Sequence, residues 1–240
     1  MSLTGFFNLR RFGARGRESP LRRGLRIAGA VAIGLVLVPL ILTPLYAVVR
    51  PISTVMIASW LTGQSVDRRW VNLDDIAPVL PRTVVTAEDS RFCSHFGVDW
   101  TAVSDVLDLS GGTPRGASTV TMQTVKNLYL WPARSYLRKA LEVLLAYYAD
   151  AVLGKRRVLE IYLNVAEWGP GIFGVEAAAR RYFNRSAANL DARQAALLAA
   201  ALPNPLVRNP ARPDARLRQL ANTLAARAAR AAADTSCLVR

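Results

Sequence analysis

The architecture is decided by residues 27–49, which read IAGAVAIGLVLVPLILTPLYAVV and contain no charged side chain over 23 positions. A helix needs about 20 apolar residues to cross the hydrocarbon core of a bilayer. Pro39 and Pro44 stand inside the run, and membrane helices tolerate proline better than soluble helices do. This stretch therefore predicts one transmembrane helix, with a short segment before it and a long one after it.

The segment before the helix is strongly basic. Its 26 residues carry seven arginines against a single acidic residue, Glu18. Because such clusters stay on the cytoplasmic face, we expect a cytoplasmic basic tail at residues 1–26 and an outer domain at residues 50–240. A cleaved signal peptide is the alternative, but this apolar run is too long for one, and no small-residue cleavage site follows it cleanly.

The outer segment is long enough for one well-packed domain and too short for two large ones. The whole chain carries a net charge of +14, of which +8 remains after the basic tail. Beside a bilayer, that charge suits anionic head groups or a phosphate-bearing substrate. Nucleic acid is the other common partner of basic proteins, but the outer location and the lack of a recognisable nucleic-acid-binding motif argue against it.

Cysteine and histidine are sparse in this sequence. Cys93 and Cys237 would lie in an oxidising compartment, where a bridge can form. Two cysteines make no disulfide framework, however, and Cys237 lies close to the C-terminus, so we expect both to be unpaired. The chain has one histidine and its cysteines are far apart, so the sequence predicts no metal site.

Helical periodicity dominates the outer domain, and convincing alternating strands are absent. We therefore predict a mostly α fold. Helices are predicted over residues 81–88, 99–109 and 155–164, from Ser118 or Thr119 to Leu130, from Ser135, over residues 174–183 and 191–202, and from Asp214 onward. Asp191 with Gln194 at the third helical position predicts a capping box.

Two apolar patterns predict whether helix faces lie in the core or at an interface. Residues 52–61 are mostly apolar, with a tryptophan near one end, which suits either a buried core helix or an interfacial one. Leu137, Leu141, Leu144 and Tyr148 recur at helical spacing, so we expect them to form one buried face.

Three segments carry residues suited to chemistry. The first, TAEDSRFCSHFGVDW, sets the adjacent carboxylates Glu88 and Asp89 among apolar residues and His95. Apolar surroundings raise the pKa of a carboxylate, which suits proton transfer near neutral pH. From these residues alone, a solvated acidic pair at a helix end is the commoner arrangement. A single histidine is likewise more often packed and hydrogen-bonded than catalytic.

The second segment reads RGASTVTMQTVKNLYLWPARS. Its small-residue loop lets backbone N–H groups approach a ligand, and Ser118 and Thr119 add hydroxyl groups. Gln123, Lys126 and Asn127 share one face of the helix after the loop, because they are three and four residues apart. Hydroxyl, amide and ammonium groups on one face fit a sugar joined to a phosphate. A capped helix with a solvated polar face is the alternative.

The third segment is RSYLRKALE, at residues 134–142. Arg134, Arg138 and Glu142 are spaced four residues apart, and Lys139 lies beside that stripe. As ordinary surface pairs these side chains would contribute only about 0.2–0.5 kcal/mol each. Directed at a diphosphate, the same cations can stabilise a departing anion through charge-assisted hydrogen bonds.

In this order and spacing, the segments resemble the peptidoglycan glycosyltransferases of glycosyltransferase family 51, the monofunctional biosynthetic type in particular. Two further stretches extend the likeness to residues 52–212, nearly the whole outer domain. The matching positions are Glu88, Asp89, Phe92, His95, Gly97 and Asp99; Ala117, Ser118, Thr119, Gln123, Lys126 and Asn127; Arg138, Lys139 and Glu142; Lys155, Val158, Leu159, Glu160, Tyr162, Leu163 and Asn164; and Gly174, Val175, Ala177, Ala178, Tyr182 and Phe183, with Pro203, Asn204 and Pro205 downstream. Any one motif is weak, whereas five in order are highly specific.

The resemblance implies a lysozyme-like glycosyltransferase domain with a cleft above the membrane. Its substrate is then lipid II, a disaccharide-peptide on undecaprenyl diphosphate. Glu88 would be the general base that takes a proton from the acceptor's 4-hydroxyl. That oxygen attacks the anomeric carbon of the growing donor chain, inverts it and expels the lipid diphosphate. Glu142 joins the catalytic set as the organiser of the cations. The implied substrate-binding residues are Asp89, Phe92, His95, Ser118, Thr119, Gln123, Lys126, Asn127, Arg134, Arg138 and Lys139.

The same resemblance implies the cofactors, partners and location. No tightly bound cofactor is expected, and by analogy Mg²⁺ or Mn²⁺ is a candidate for assisting the diphosphate. The partners would be lipid II, the growing lipid-linked glycan and the membrane, without nucleic acid. Other cell-wall synthesis or division proteins are candidate partners. The location would be the bacterial inner membrane, with the N-terminus cytoplasmic and the catalytic domain periplasmic.

Two positions depart from the family's pattern. Met122 stands where the family usually has Gln, which removes an amide that could contact substrate. Gln194 stands where the family usually has Glu, but Gln keeps the capping role. Two alternatives stay open. One is a catalytically inactive, membrane-anchored cell-wall scaffold, for which Met122 is the hint. The other is a lysozyme-like wall hydrolase, which would have little use for the cation array.

Overall fold

The computed structural model describes residues 19–110, 118–133, 135–230 and 235–238, without the side chains of residues 35 and 106–110. The chain divides into two compact units, Met1–Val38 and Pro39–Arg240. The described part of the first unit is the start of a long helix, and the second unit holds the domain after it.

Helix α1 (Pro20–Leu45) contains most of the predicted membrane segment. Among the residues that the structure describes, it is the one helix long and apolar enough to cross a membrane, and only 6% of its apolar window is buried in the protein. The helix begins seven residues before the predicted start of the apolar run and ends at Leu45, where turns take over. By length and composition it fits a membrane anchor.

The last turns of α1 belong to the second unit and are bound to it by side chains. The Tyr148 hydroxyl donates to the Leu40 carbonyl oxygen at 2.9 Å. The Thr43 hydroxyl, which is buried, lies 2.8 Å from the Tyr129 hydroxyl. The end of the helix therefore packs on the domain through specific polar contacts.

Arg157 adds a third attachment just beyond the helix. Its Nε donates to the Tyr46 carbonyl oxygen at 2.8 Å, and its Nη2 donates to the Val49 carbonyl oxygen at 2.7 Å. Tyr46 and Val49 lie in the turns that follow the helix, and a positive guanidinium there opposes the negative end of the helix dipole. One arginine thus fixes how the chain leaves α1.

The second unit is mostly helical, as the sequence predicts. Its further helices are α2 (Thr54–Leu61), α3 (Val79–Glu88), α4 (Trp100–Ser110), α5 (Val120–Tyr129), α6 (Tyr136–Val165), α7 (Val175–Phe183), α8 (Ala192–Ala201) and α9 (Ala215–Arg230), with 3-10 turns at Leu73–Asp75, Ala187–Asn189 and Ser236–Leu238. The main core lies where α3, the second half of α6, α7 and α8 meet, and it includes Leu80, Val84, Leu159, Leu163 and Leu198, none of them solvent-exposed.

A small sheet accompanies the helices, which the sequence does not predict. Its strands are β1 (Asp67–Arg68), β2 (Glu167–Gly169) and β3 (Ile172–Phe173), in the order β1-β3-β2. β1 runs parallel to β3, and β2 runs antiparallel to it. Strands of two or three residues are too short to show alternation, so the sequence carries no signal for them.

The predicted helix starts are largely confirmed. Thr119, rather than Ser118, caps α5 by accepting a hydrogen bond from the Met122 N–H. Ser135 caps α6. Both hydrogen bonds of the capping box between Asp191 and Gln194 are present at the start of α8. These caps satisfy backbone donors that the first helical turn leaves without partners.

Helix α6 joins two of the predicted helices. Gly154 interrupts it with φ 69° and ψ 163°, so the chain turns there before the second half continues to Val165. A positive φ of this kind favours glycine, because other residues meet steric strain. The predicted helices from Ser135 and over residues 155–164 therefore meet at Gly154.

The buried face predicted on the first half of α6 is wrong. Leu137 and Leu144 are 66% and 67% exposed. The helix buries a different face, made of Glu142, Ala146, Ala149 and Asp150. Helical spacing shows that apolar residues share a face, but it does not show what that face contacts.

Helix α2, predicted to be either a core helix or an interfacial one, has one buried side and one exposed side. Met56 is fully buried in a cluster with residues of α5, α6 and β3. Trp60 and Leu61 are 52% and 83% exposed. One side of α2 is thus core, and the other side is free for an interface.

The prediction that the cysteines are unpaired is wrong. Cys93 and Cys237 form a disulfide with their Cα atoms 5.6 Å apart. Residues 235–238 pack on the domain, where Arg156 donates to the Leu238 carbonyl oxygen and Cys237 is bonded to Cys93. Proximity to the C-terminus in the sequence does not reveal this tertiary contact.

Candidate active site

Glu88 is the last residue of α3 and points into a polar cavity of about 450 Å³. Asp89, Ser118 and Thr119 also line the cavity, as does Arg227 from α9. The structure therefore brings the carboxylate of the first sequence segment to the hydroxyl groups of the second.

Gln123 connects this carboxylate to the core. Its Nε2 donates to Glu88 Oε2 at 2.9 Å, and its Oε1 accepts a hydrogen bond from the Tyr162 hydroxyl at 3.1 Å. Gln123 lies in the first turn of α5, and Tyr162 lies in the second half of α6. The amide of Gln123 is thus held from both sides.

Burial raises the pKa of Glu88 above its usual 4.5. The hydrogen bond from Gln123 and the positive charge of Lys126 oppose that rise, as does the charge of Arg208. A carboxylate with a raised pKa can accept a proton near neutral pH and still be largely ionised at the start of the reaction. Such a group is suited to general-base chemistry.

Asp89 holds the segment after α3 in place. Its Oδ1 lies 2.9 Å from His95 Nε2, and its Oδ2 accepts a hydrogen bond from the Val120 N–H at 2.9 Å. The second contact sets a carboxylate at the N-terminus of α5, where the helix dipole favours negative charge. Asp89 and His95 therefore tie the loop that carries them to the helix that carries Gln123.

Gly97 brings the same loop against α6. Its φ is 75°, and a Cβ at this position would lie 2.6 Å from the Ala146 carbonyl oxygen. The Thr119 hydroxyl donates to the Gly97 carbonyl oxygen at 2.6 Å while also capping α5. Thr119 is 2% exposed, so its hydroxyl serves the backbone of the site.

Phe92 lies beneath the loop and is fully buried. Its ring packs edge-on to His95, and Lys155 Nζ lies 4.7 Å from the ring centroid on one face. Lys155 also pairs with the buried carboxylate of Asp150 at 2.9 Å. The sequence does not single out Asp150, because nothing local marks it as different from a surface acid.

Two cations of the third segment gather around one buried carboxylate. Glu142 is 2% exposed and forms ion pairs with Arg138 and with Lys139, the latter at 3.2 Å. Lys139 also donates to the Ser118 hydroxyl at 3.1 Å. Because Glu142 is buried, these contacts are not the surface pairs that the sequence left as an alternative. Arg134 lies outside the described residues.

The electrostatics of the cluster disfavour its positive charges. Burial, and then the charges of Arg138 and Lys126, lower the pKa of Lys139 to about 8. Burial and Arg138 also lower the pKa of Lys126, whereas the nearby Glu88 raises it. Lys126 therefore senses the carboxylate on one side and the cation cluster on the other. An anionic ligand would reduce the repulsion between cations held this close together.

Met122, where the sequence departs from the family's pattern, does not face the cavity. It is 1% exposed and packs in a small core cluster with Val98, Val125, Ala146 and Ala149. Asn127, predicted to bind substrate, is partly buried on α5. An amide at position 122 would thus lie in the core, so its absence removes nothing from the cavity.

Sequence reasoning missed three residues that surround Glu88. Tyr162 stands in a matching motif but carries no sign that it reaches Gln123. Arg208 lies near enough to affect the charge of Glu88, and its side chain donates to the Ala200 carbonyl oxygen. Arg227 donates to the Thr86 carbonyl oxygen at 3.4 Å. The two arginines lie in an arginine-rich region, where no local pattern separates one from the next.

Among the described side chains, no group of three or more His, Cys, Asp and Glu residues is placed to hold a metal ion. The positive cluster around Glu142 would repel a cation, and its one carboxylate is already paired. These donors do not fit a protein-held Mg²⁺ or Mn²⁺.

Known proteins are similar to this chain over most of its length. A family profile described as Transglycosylase matches residues 54–229. A biosynthetic peptidoglycan transglycosylase of Brucella suis biovar 1 is 56% identical over 221 residues, covering 90% of this chain and 99% of that protein. Proteins with the same description from Nitrobacter winogradskyi and Mesorhizobium japonicum are 54% and 53% identical, covering 87% and 91% of this chain and 93% and 94% of their own lengths.

Proposed function

The chain belongs to the transglycosylase family, whose domain is lysozyme-like, and from that membership we propose which described residues carry out its reaction. It is a peptidoglycan glycosyltransferase that polymerises glycan chains from lipid II. The relatives do not favour the alternatives of an inactive scaffold or a wall hydrolase. The roles of individual side chains are inferred from the contacts around Glu88 and Glu142.

We assign the role of general base to Glu88. The observation that carries this assignment is a carboxylate in a polar cavity whose pKa is raised by burial while Gln123 and Lys126 favour its charged form. Glu88 takes the proton from the acceptor's 4-hydroxyl as that oxygen bonds to the anomeric carbon of the donor sugar. The bond from that carbon to the diphosphate oxygen breaks, so the configuration inverts and the β-1,4 linkage forms.

The leaving undecaprenyl diphosphate takes the electron pair of the broken bond. We assign the binding of this diphosphate to Lys126, Arg138 and Lys139 and, on the sequence resemblance alone, to Arg134, which lies outside the described residues. Charge-assisted hydrogen bonds to a phosphate are strong, and they gain further when the charge grows in the transition state. Glu142 keeps Arg138 and Lys139 at a fixed position while the diphosphate arrives and leaves.

The remaining residues of the predicted binding set take supporting roles in this proposal. Ser118 accepts a hydrogen bond from Lys139 and so directs it. Asp89, His95 and Thr119 join the loop to the start of α5, and Phe92 supports it from the core. Asn127 lies on the same helix as Lys126 and is assigned to substrate contact.

The location is inferred from the contacts of the anchor. Leu40 and Thr43 lie inside the apolar run and bind side chains of α6 and α5. The first half of α6 therefore lies beside the bilayer, which explains why Leu137 and Leu144 are exposed apolar residues on its outer face. We propose a bacterial inner-membrane protein with a cytoplasmic N-terminus and a periplasmic domain, where other cell-wall synthesis or division proteins are candidate partners.

In this proposal the acid next to Glu88 is not available as the second carboxylate of a hydrolase. A glycosidase uses two carboxyl groups on either side of the bond that it cleaves. Asp89 is the neighbouring acid, and both of its oxygens are engaged by His95 and by the start of α5. The scaffold alternative rested on Met122, which lies in the core.

Incubation of the full-length protein with lipid II tests the proposal. We expect glycan polymer with release of undecaprenyl diphosphate, measured by gel separation of the product and by phosphate analysis of the lipid. Release of reducing ends from finished peptidoglycan, without polymer, would support the hydrolase instead. A protein that binds lipid II without turnover would support the scaffold.

A further inference from the structure

A hydrogen-bonded chain of three residues ends at Glu88. The Tyr162 hydroxyl lies 3.1 Å from Gln123 Oε1, and Gln123 Nε2 lies 2.9 Å from Glu88 Oε2. Tyr162 is 2% exposed and lies in the main core, where α6 packs against α5. The chain thus runs from the rigid interior of the domain to the cavity.

Chemistry fixes the direction of the chain. An ionised carboxylate only accepts hydrogen bonds, so the NH₂ group of Gln123 must face Glu88. The amide oxygen then faces Tyr162, whose hydroxyl must donate to it. The two ends of a glutamine amide have nearly the same shape, so packing alone does not choose between its orientations. The Tyr162 hydroxyl favours the observed orientation, because Gln123 Oε1 accepts its hydrogen bond. The Ser118 carbonyl oxygen, which accepts from the Gln123 NH₂ group at 3.5 Å, favours it as well.

We propose that Tyr162 is a positioning residue for Glu88, acting through Gln123 so that the amide presents its NH₂ group to the carboxylate. This inference rests on the proposed role of Glu88 as the base. Burial raises the pKa of Tyr162 well above 10, so its hydroxyl keeps its proton and remains a donor throughout the working pH range.

The opposite orientation of the amide would place its oxygen against Glu88. Two oxygen acceptors in a buried site repel each other, and the carboxylate would then hold its proton more tightly. Loss of the Tyr162 hydroxyl therefore raises the pKa of Glu88. The base is then protonated up to a higher pH, and the acid limb of the rate profile moves to higher pH with it.

Tyr162→Phe removes the hydroxyl and keeps the volume of the ring. We expect the acid limb of kcat/KM for lipid II polymerisation to move up by about half to one pH unit, as loss of one buried hydrogen bond predicts. Tyr182→Phe is the matched control, because Tyr182 also donates one hydrogen bond, to the Trp168 carbonyl oxygen at 3.2 Å, away from Glu88. Its acid limb should coincide with that of the unchanged protein.

A double-mutant cycle tests the route through Gln123. In a Gln123→Ala background, Tyr162→Phe should produce no further shift of the acid limb, because the connecting amide is gone. Additive shifts would show that Tyr162 acts on Glu88 by another path and would overturn the proposal. An unmoved acid limb in the single variant Tyr162→Phe would overturn it as well.

Direct titration of Glu88 separates this inference from the proposed function. Infrared difference spectra between the unchanged protein and Glu88→Gln isolate the Glu88 carboxyl band as pH varies, without any substrate. The midpoint should rise in Tyr162→Phe and stay unchanged in Tyr182→Phe. If the protein fails to polymerise lipid II, the proposed function fails, and this titration still decides the role of Tyr162.

Discussion

Lys139 Nζ lies 3.2 Å from Glu142 Oε2, and the carboxylate is buried while the lysine is 45% exposed. The pair joins a fixed negative charge inside the domain to a positive charge at the edge of the cavity. With Arg138 on the same carboxylate, the arrangement holds two cations close together before any substrate binds. The lysine and the carboxylate can therefore be tested separately, the first by pH and the second by substitution.

Lys139 should control the alkaline limb of activity. Its pKa is lowered to about 8, so the side chain is charged below that pH and loses its proton as pH rises through it. We expect kcat/KM to fall as pH rises through about 8, since kcat/KM reports the ionisation of the free enzyme. In Lys139→Arg the guanidinium stays protonated, so this limb should disappear from a pH profile measured to about pH 10 with the same substrate. An unchanged limb in that variant would show that another group is responsible.

Glu142→Gln should weaken both the fold and the cation cluster. The change leaves Arg138 and Lys139 without their negative partner, and we expect the free energy of unfolding to fall by about 1–3 kcal/mol in a denaturant titration. Without the carboxylate the pKa of Lys139 drops further, so the alkaline limb should also move to lower pH. Glu160→Gln is the control, because it removes a partner of Arg157 outside the cavity and should leave that limb in place.

The sequence predicts the helices well and their surroundings poorly. Caps at Thr119, Ser135 and Asp191 depend on residues within one helical turn, and local sequence contains that information. The face of α6 with Leu137 and Leu144 shows the limit. Whether an apolar face meets the core or lipid depends on the end of α1, which is far away in the sequence.

Reduction of the Cys93–Cys237 disulfide should destabilise the domain. The bond closes a loop across 144 residues, and loss of a native disulfide costs about 2–5 kcal/mol. We expect Cys93→Ser and Cys237→Ser to lower the free energy of unfolding equally, with no further loss in the double variant. Measurement under oxidising and reducing conditions gives the same comparison in the unchanged protein, and equal stability under both would contradict the expectation.

The oxidation state of the same two cysteines shows on which side of the membrane the domain lies. Disulfides persist in the periplasm and are rare in the cytoplasm. In intact cells, Cys93 and Cys237 should therefore resist alkylation until a reductant is added. Immediate labelling of both thiols would place the domain on the cytoplasmic side of the membrane.

Leu144 should contact lipid. In the full-length protein with Leu144→Cys, an environment-sensitive fluorophore on that thiol should shift to shorter wavelength in vesicles and be quenched by nitroxide lipids. Leu220→Cys on α9 is the control, because Leu220 is also partly exposed, at 38%, on a helix that packs on α8. Equal quenching at both positions would contradict a membrane face on α6.

The sequence predicts most residues of the candidate site but not the contacts between them. Glu88, Gln123 and the cations stand out as residue types in ordered motifs. Tyr162 also stands in such a motif, but its role arises from a contact with Gln123, 39 positions away in the sequence. Asp150 does not stand out, because its hydrogen bond comes from Thr121, 29 positions away. Burial of Glu142 is also invisible locally, since its spacing from Arg138 equally suits an exposed pair.

Glu88→Gln tests the central claim most directly, with lipid II polymerisation and stability measured on the same sample. Because burial raises the folded-state pKa of Glu88 above 4.5, the ionised carboxylate reduces stability as pH rises from that value through the raised pKa. The variant should therefore be at least as stable as the unchanged protein at about pH 7 and should lose polymerisation. Glu167→Gln is the matched control, since burial also raises the pKa of Glu167, and it should keep activity. Polymerisation at the unchanged rate in a folded Glu88→Gln protein would contradict the assignment of Glu88 as the base.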